Sequence, residues 1–195
     1  MNVETKPRKL HGPWNDGYAL HIHTLSSTFL GNDGAGHPRF DTVRSPIGEL
    51  LYQLKYRGDQ TTVVPLVDAI EGFWKMWPHP AVDAIVPVPP SNVRANQPVT
   101  LIANALSERL KVPVCKECIS KVKRTPQLKD LVEYDKRVEA LGGAFSVSPE
   151  HTKGKSFLLF DDLYGSGATV SAITELLKGP GGAKAVYLLT LTSKH

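Results

Sequence analysis

Apolar residues recur at helical spacing over much of the chain. Ile47, Leu50, Leu51 and Leu54 fall at i, i+3, i+4 and i+7, which predicts an amphipathic helix. Leu66, Ala69, Ile70, Phe73 and Trp77 repeat the pattern, with Pro65 suited to a first turn. Val99, Ile102, Ala103, Leu106 and Leu110 mark a third helix, and Val170, Ile173, Leu176 and Leu177 a fourth, stopped by GPGG at 179–182. Between these lie short unbroken apolar runs. DAIVPVP (83–89), VPVC (112–115), AFSV (144–147), SFLLF (156–160) and AVYLLTLT (185–192) read as strands.

Apolar strands alternating with amphipathic helices predict an α/β fold: a mostly parallel sheet covered by helices on both faces. Residues 119–143 are polar and charged and read as a long excursion from it. Residues 1–45 differ in character, being rich in Gly, His, Thr and Asn, with GNDGAGHP as a loop and YALHIHTL as a strand of a hairpin. The expected division is an N-terminal segment, 1–45, and an α/β domain, 46–195. A chain of 195 residues suits one such domain, and at this size it buries about 70% of its unfolded surface.

Charge and cysteine content narrow the picture a little. The formal net charge is +4, and KVKR at 121–124 is the densest basic cluster. That mild excess fits an anionic ligand, phosphorylated or nucleic. The only cysteines, Cys115 and Cys118, are spaced CxxC. One pair supplies half of a structural zinc site, and no thioredoxin-like βαβ start surrounds it, so two reduced cysteines by a strand end are expected. No run approaches the ~18 apolar residues of a membrane span, and MNVETKPRKLHGPW has no signal-peptide core. A soluble cytoplasmic protein is the expectation.

The stretch FLLFDDLYGSGATV (157–170) carries the chemistry. An apolar strand runs into Asp161 and Asp162, and the side chains then become small. Ligands of open α/β sheets bind outside the carboxyl ends of the strands. Gly165 and Gly167 let backbone N–H groups turn inward, Ser166 and Thr169 add hydroxyls, and the helix that follows offers its N-terminus to an anion. Carboxylates suit the hydroxyls of a sugar, so a sugar phosphate satisfies both halves. A Walker A loop is absent, and a dinucleotide fingerprint fails at Val170.

FLLFDDLYGSGAT resembles the phosphoribosyl-pyrophosphate (PRPP) motif of type I phosphoribosyltransferases. LKYRGD (54–59), DAIVPVPP (83–90), TPQL (125–128), Arg137 and GGAF (142–145) recur in that order in the ComF family, the phosphoribosyltransferase-like competence proteins, and the likeness covers roughly residues 47–195. The resemblance implies that Asp161 and Asp162 bind the ribose hydroxyls. It implies that Tyr164, Gly165, Ser166, Gly167, Ala168 and Thr169 hold the 5′-phosphate. Pro89, Pro90, Ser91 and Asn92, with Arg94, would form the pyrophosphate loop. Arg124, Lys129 and Arg137 of the excursion would neutralise the leaving pyrophosphate. Lys55 and Arg57 end a helix, where cations favour the dipole, and Lys55 is equally a candidate phosphate contact. The implied reaction moves phosphoribose from PRPP to a nitrogenous acceptor. Mg²⁺ would be held mainly through PRPP, with no all-protein metal site. Relatives of this type are often homodimers.

Departures from the family qualify this. ComF proteins begin with a four-cysteine zinc element, and residues 1–45 here hold no cysteine. The usual Thr-Thr-Gly of the phosphate loop is Gly165-Ser166-Gly167, and the pyrophosphate side carries Arg94 alone. Gly165 stands where 6-oxopurine salvage enzymes carry an Asp, which argues against that acceptor class. Any hood over the acceptor is expected from residues 1–45. The alternative reading is a non-catalytic PRPP- or nucleotide-binding protein with weak nucleic-acid binding and a competence (DNA uptake) role. His21 and His23 suggest a strand face without a third metal ligand. Trp74 and Trp77 read as core, while Trp14 could stack on a base.

Overall fold

The computed structural model describes residues 3–79, 81–90, 97–123, 141 and 143–194. Its elements are β1 (Arg8–Lys9), β2 (Asp16–Ile22), β3 (Thr24–Asn32), β4 (Pro38–Arg44), α1 (Pro46–Tyr52), α2 (Val63–Met76), β5 (Ala84–Pro87), α3 (Pro98–Leu110), β6 (Ile119–Lys121), β7 (Phe145–Val147), α4 (Pro149–Thr152), β8 (Ser156–Tyr164), α5 (Ala168–Lys178) and β9 (Ala185–Ser193). The central sheet has the order β1-β2-β9-β8-β5. Strands β2, β9, β8 and β5 run parallel, and β1 is an antiparallel edge.

The alternation of side chains along β8 and β9 explains why both faces are covered. Leu158, Phe160, Leu189 and Leu191 pack on one face against α1, α2 and α3, through Ile47, Leu66 and Ile102 among others. Phe157, Leu159, Val186 and Leu188 pack on the other against Val170, Ile173 and Leu177 of α5. Every residue of β9 is buried, as expected of a strand between two helical layers.

Several local expectations change. The YALHIHTL stretch is split between two elements: residues 18–22 lie in β2, antiparallel to β1, and Thr24 and Leu25 open β3. Residues 16–22 join the central sheet alongside β9, and the hairpin is β3–β4. VPVC reduces to one parallel bridge between Val114 and Ile85. AFSV leaves the main sheet, because β7 pairs with β6, the first residues of the excursion. β8 does not stop at the acid pair but continues to Tyr164, paired with Ser193. Cys115 and Cys118 are joined by a disulfide, with Cα atoms 5.5 Å apart, rather than reduced; a CxxC turn brings the two sulfurs within bonding range.

The connections turn in opposite directions at β5 and β8. From β5 the chain passes over α3 to Val114, which pairs on the outer side of β5. From β8 it passes over α5, on the opposite face, inward to β9. The carboxyl ends of β5 and β8 therefore sit at a point where the connections diverge, which opens a crevice between them. α1 is seated beside the same edge. The Ser45 Oγ accepts from the Gly48 N–H at 3.0 Å and caps α1, and any side chain at Gly48 would run into the His23 carbonyl.

Phe157 is fully buried between β8 and α5. Phe157→Ala is expected to cost about 3–5 kcal/mol in urea unfolding, whereas exposed Val64→Ala should change stability by less than about 0.5 kcal/mol.

Candidate functional site

The two carboxylates leave β8 on opposite faces because successive strand residues alternate. Asp162 shares the face of Leu158 and Phe160 and meets Lys55 Nζ at 2.7 Å through Oδ2. Lys55 comes from a π-helical turn, Gln53–Arg57, that extends α1 and ends at Gly58 in the left-handed region. The cation expected at a helix end thus reaches the strand's acid pair. Asp161 shares the face of Phe157 and Leu159, and its Oδ1 accepts from the Asp162 N–H at 2.8 Å.

The two acids sit in unlike surroundings. Burial, reinforced by the adjacent Asp162 carboxylate, pushes the Asp161 carboxyl up to about 8. The shift favours the protonated form of Asp161, which can donate as well as accept, while Asp162 pairs with a cation.

The loop after β8 is shaped by one glycine. Gly167 caps α5 at φ +79°, and a side chain there would meet the Tyr164 Oη at 2.5 Å. Neither strain nor packing requires glycine at Gly165, where an added Cβ would find nothing within 4 Å. Gly167 offers no side-chain acceptor, so the N-cap position leaves the first amides of α5 without a side-chain cap. Those N–H groups and the helix dipole attract an anion. A cleft of about 160 Å³ lies over this loop, lined by Asp161, Tyr164–Thr169 and Lys194. A second, of about 210 Å³, lies in the crevice between β5 and β8. It is lined by Lys55, Pro89, Pro90, Asp161, Asp162 and Thr169, with Gln97 at the start of α3. Asp161 and Thr169 belong to both.

Lys55, Pro89, Pro90, Asp161, Asp162 and residues 164–169 are thus brought together. Ser91, Asn92, Arg94, Arg124, Lys129 and Arg137 lie outside the described residues. Three features escaped the sequence reading. Lys194 and Gln97 line the clefts. His23 lies beyond the end of β2, not on it, and its Nδ1 is 3.1 Å from the Thr192 Oγ1. The Thr192 Oγ1 is in turn 3.2 Å from the Asp162 carbonyl. The hydroxyls of Thr190 and Thr192 in an otherwise apolar strand were the available signal. Burial, with Lys55 and Arg44 nearby, keeps the His23 imidazole below its ordinary value. Trp14, expected as a stacking ring, is buried: its Nε1 donates to the Leu10 carbonyl and its ring meets Tyr164 edge-on. Among the described residues no group of three His, Cys, Asp or Glu side chains could hold a metal, and no helix is long and apolar enough to cross a membrane.

No protein-family model matches the chain, and no curated protein matches it. Solved structures similar to it include adenine phosphoribosyltransferase from Saccharomyces cerevisiae, complexed with an imino-altritol bisphosphate and adenine. That pair shares 16% identity over 86% of this chain and 85% of the other, with a TM-score of 0.46. Adenine phosphoribosyltransferase from Leishmania tarentolae is 12% identical over 97% and 95%, at 0.46. The UMP synthase of Leishmania donovani is 17% identical over 83% of this chain and 26% of its own, at 0.38. At these levels of likeness, function is argued from the chain's own residues.

Two outcomes follow from the site's geometry. The Asp161 value lies above the ordinary 3.8, so the folded chain holds this proton more tightly than the unfolded one. The stabilisation it gives is complete below 3.8 and is lost as pH rises through about 8. Thermal denaturation across that range should show the wild type losing stability relative to Asp161→Asn, with the variant the more stable at alkaline pH. Gly167→Ala should cost about 1–2 kcal/mol from its left-handed backbone alone, read by chemical denaturation, and more if Tyr164 cannot move aside.

Proposed function

We propose that the chain binds PRPP across the carboxyl edge of β5 and β8 and transfers its phosphoribosyl group to a nitrogenous acceptor, releasing pyrophosphate. The observation that carries this reading is the placement of the acid pair. Asp161 and Asp162 stand at the divergence of two connections, within one crevice and a few residues before an uncapped helix N-terminus. A sugar with vicinal hydroxyls and a phosphate uses both features, and neither feature alone would call for the other.

In this reading the α5 amides, with the Ser166 and Thr169 hydroxyls, hold the 5′-phosphate. Asp162 accepts from one ribose hydroxyl, and protonated Asp161 exchanges a hydrogen bond with the other. The pyrophosphate lies toward Pro89 and Pro90, where Lys55 supplies positive charge and Ser91, Asn92 and Arg94 follow in sequence. Arg124, Lys129 and Arg137 are assigned to charge neutralisation from the excursion. The C1–O bond breaks with its electron pair leaving on pyrophosphate, and the acceptor nitrogen attacks C1 from the opposite face and gives up its proton. The chain contributes positioning, leaving-group neutralisation and exclusion of water. Mg²⁺ fits as a passenger of the substrate, since Asp162 is already paired with Lys55 and the described residues hold no group of three ligands for a cage; when bound it would neutralise phosphate charge. The β3–β4 hairpin, which follows β2 at the same edge, is assigned as the hood over the acceptor within the N-terminal segment 1–45. A cytoplasmic location and a homodimer belong to the same reading.

The second reading keeps the ligand without turnover, in a ComF-like regulatory or DNA-uptake role. It is favoured by Gly165, which supplies no hydroxyl where the phosphate loop of active relatives usually has one.

Isothermal titration of PRPP with Mg²⁺ separates these from a site with no such ligand. The wild type should bind, and Asp161→Asn/Asp162→Asn should bind at least about tenfold more weakly. Pyrophosphate release with a panel of nitrogenous bases then distinguishes transfer from binding alone. Absence of binding to both proteins would overturn both readings.

A further inference from the structure

The CxxC turn lies outside the site described above, and the two sulfurs have different surroundings. Cys115 is half-buried, directly after the bridge to β5, and its N–H donates to the Ile85 carbonyl at 2.9 Å. Cys118 is fully buried in the core cluster on the α5 face, and its carbonyl accepts from the Ser148 N–H at 3.1 Å. Both ends of the turn are therefore held by the backbone of neighbouring strands and loops, independently of the sulfur bond. Lys116 and Glu117 between them are exposed.

The oxidised pair also leaves a polar contact unused. The Cys118 Sγ lies 3.9 Å from the His151 carbonyl. A disulfide sulfur has no proton to donate, whereas a thiol at the same position has one and an acceptor already in place. The fold thus accommodates Cys118 in both states: bonded to Cys115, or as a buried thiol donating to His151. A purely structural disulfide has no need of that acceptor. A turn of this span also closes a very short loop, where a crosslink restricts the unfolded chain least.

We propose that Cys115–Cys118 is a reversible redox pair that exchanges with dithiol reductants through the Cys115 sulfur. The reductant's first thiolate attacks the Cys115 Sγ. The Cys115–Cys118 bond breaks, and the electron pair leaves on Cys118, which takes up a proton and donates to His151. The reductant's second thiolate then attacks its own sulfur in the mixed disulfide. Cys115 is released and takes up a proton, and the reductant leaves as a cyclic disulfide. Two electrons and two protons pass to the protein. The buried position of Cys118 makes half-buried Cys115 the entry point and leaves it the more accessible thiol of the reduced protein.

Intact mass and thiol alkylation of the native, full-length chain test this. In oxidising buffer the protein should carry no alkylable thiol. Dithiothreitol without denaturant should add two hydrogens and open two alkylation sites, with Cys115 modified at least about tenfold faster than Cys118. Removal of the reductant and addition of glutathione disulfide should restore the oxidised mass. In Cys118→Ser the remaining Cys115 should form a mixed disulfide with glutathione, and in Cys115→Ser the remaining Cys118 should resist alkylation until denaturant is added. Two free thiols in oxidising buffer, reduction only after unfolding, or equal alkylation rates would each overturn the proposal.

Discussion

A strand buried on both faces can carry two adjacent carboxylates only if each finds a partner or is held toward its neutral form. That constraint organises the edge of this sheet. The alternation of β8 sends Asp162 toward α1 and Asp161 toward α5. On one side the constraint is met by Lys55, which the π-helical turn after α1 carries to within 2.7 Å of Asp162. On the other side no ion pair to Asp161 forms among the described residues, and burial beside a second acid pushes its carboxyl toward the neutral form. Two residues identical in sequence thereby meet different surroundings, one beside a cation and one pushed toward its neutral form.

The same edge is where the backbone is least complete. Gly167 turns the chain into α5 with no side-chain cap, and the connections from β5 and β8 leave in opposite directions. Partly satisfied polar groups are costly in a core but useful at a rim that a charged ligand can complete. The hydroxyl of Thr192, between His23 and the Asp162 carbonyl, braces the strand end from behind. The candidate site thus lies where the two helical layers do not close over the sheet.

Much of this was legible in the sequence because it is local. The helical periodicities of α1, α2, α3 and α5 and the apolar runs of β5, β8 and β9 are written in consecutive residues, as is the acid pair with its small-residue loop. What was not legible depends on partners far away in the chain. Residues 16–22 look like half of a local hairpin and do pair with β1, but their second partner is β9, nearly the whole chain away. Val114 has one bridge and Phe145 pairs with Lys121, choices that local alternation cannot make. The meeting of Lys55 with Asp162 needs the sheet to be assembled first. Reduced cysteines were expected from composition, and the turn that closes Cys115 onto Cys118 is a matter of backbone path.

The central claim is a place: a ribose phosphate sits on the loop between β8 and α5. Backbone amide NMR of the isotope-labelled protein, titrated with ribose 5-phosphate, tests it most directly. The account predicts that the largest shift changes fall on Gly165–Thr169 and Asp161, and that they disappear in Asp161→Asn/Asp162→Asn. Saturable shifts confined to another surface, such as the groove between α2 and α3, would contradict it.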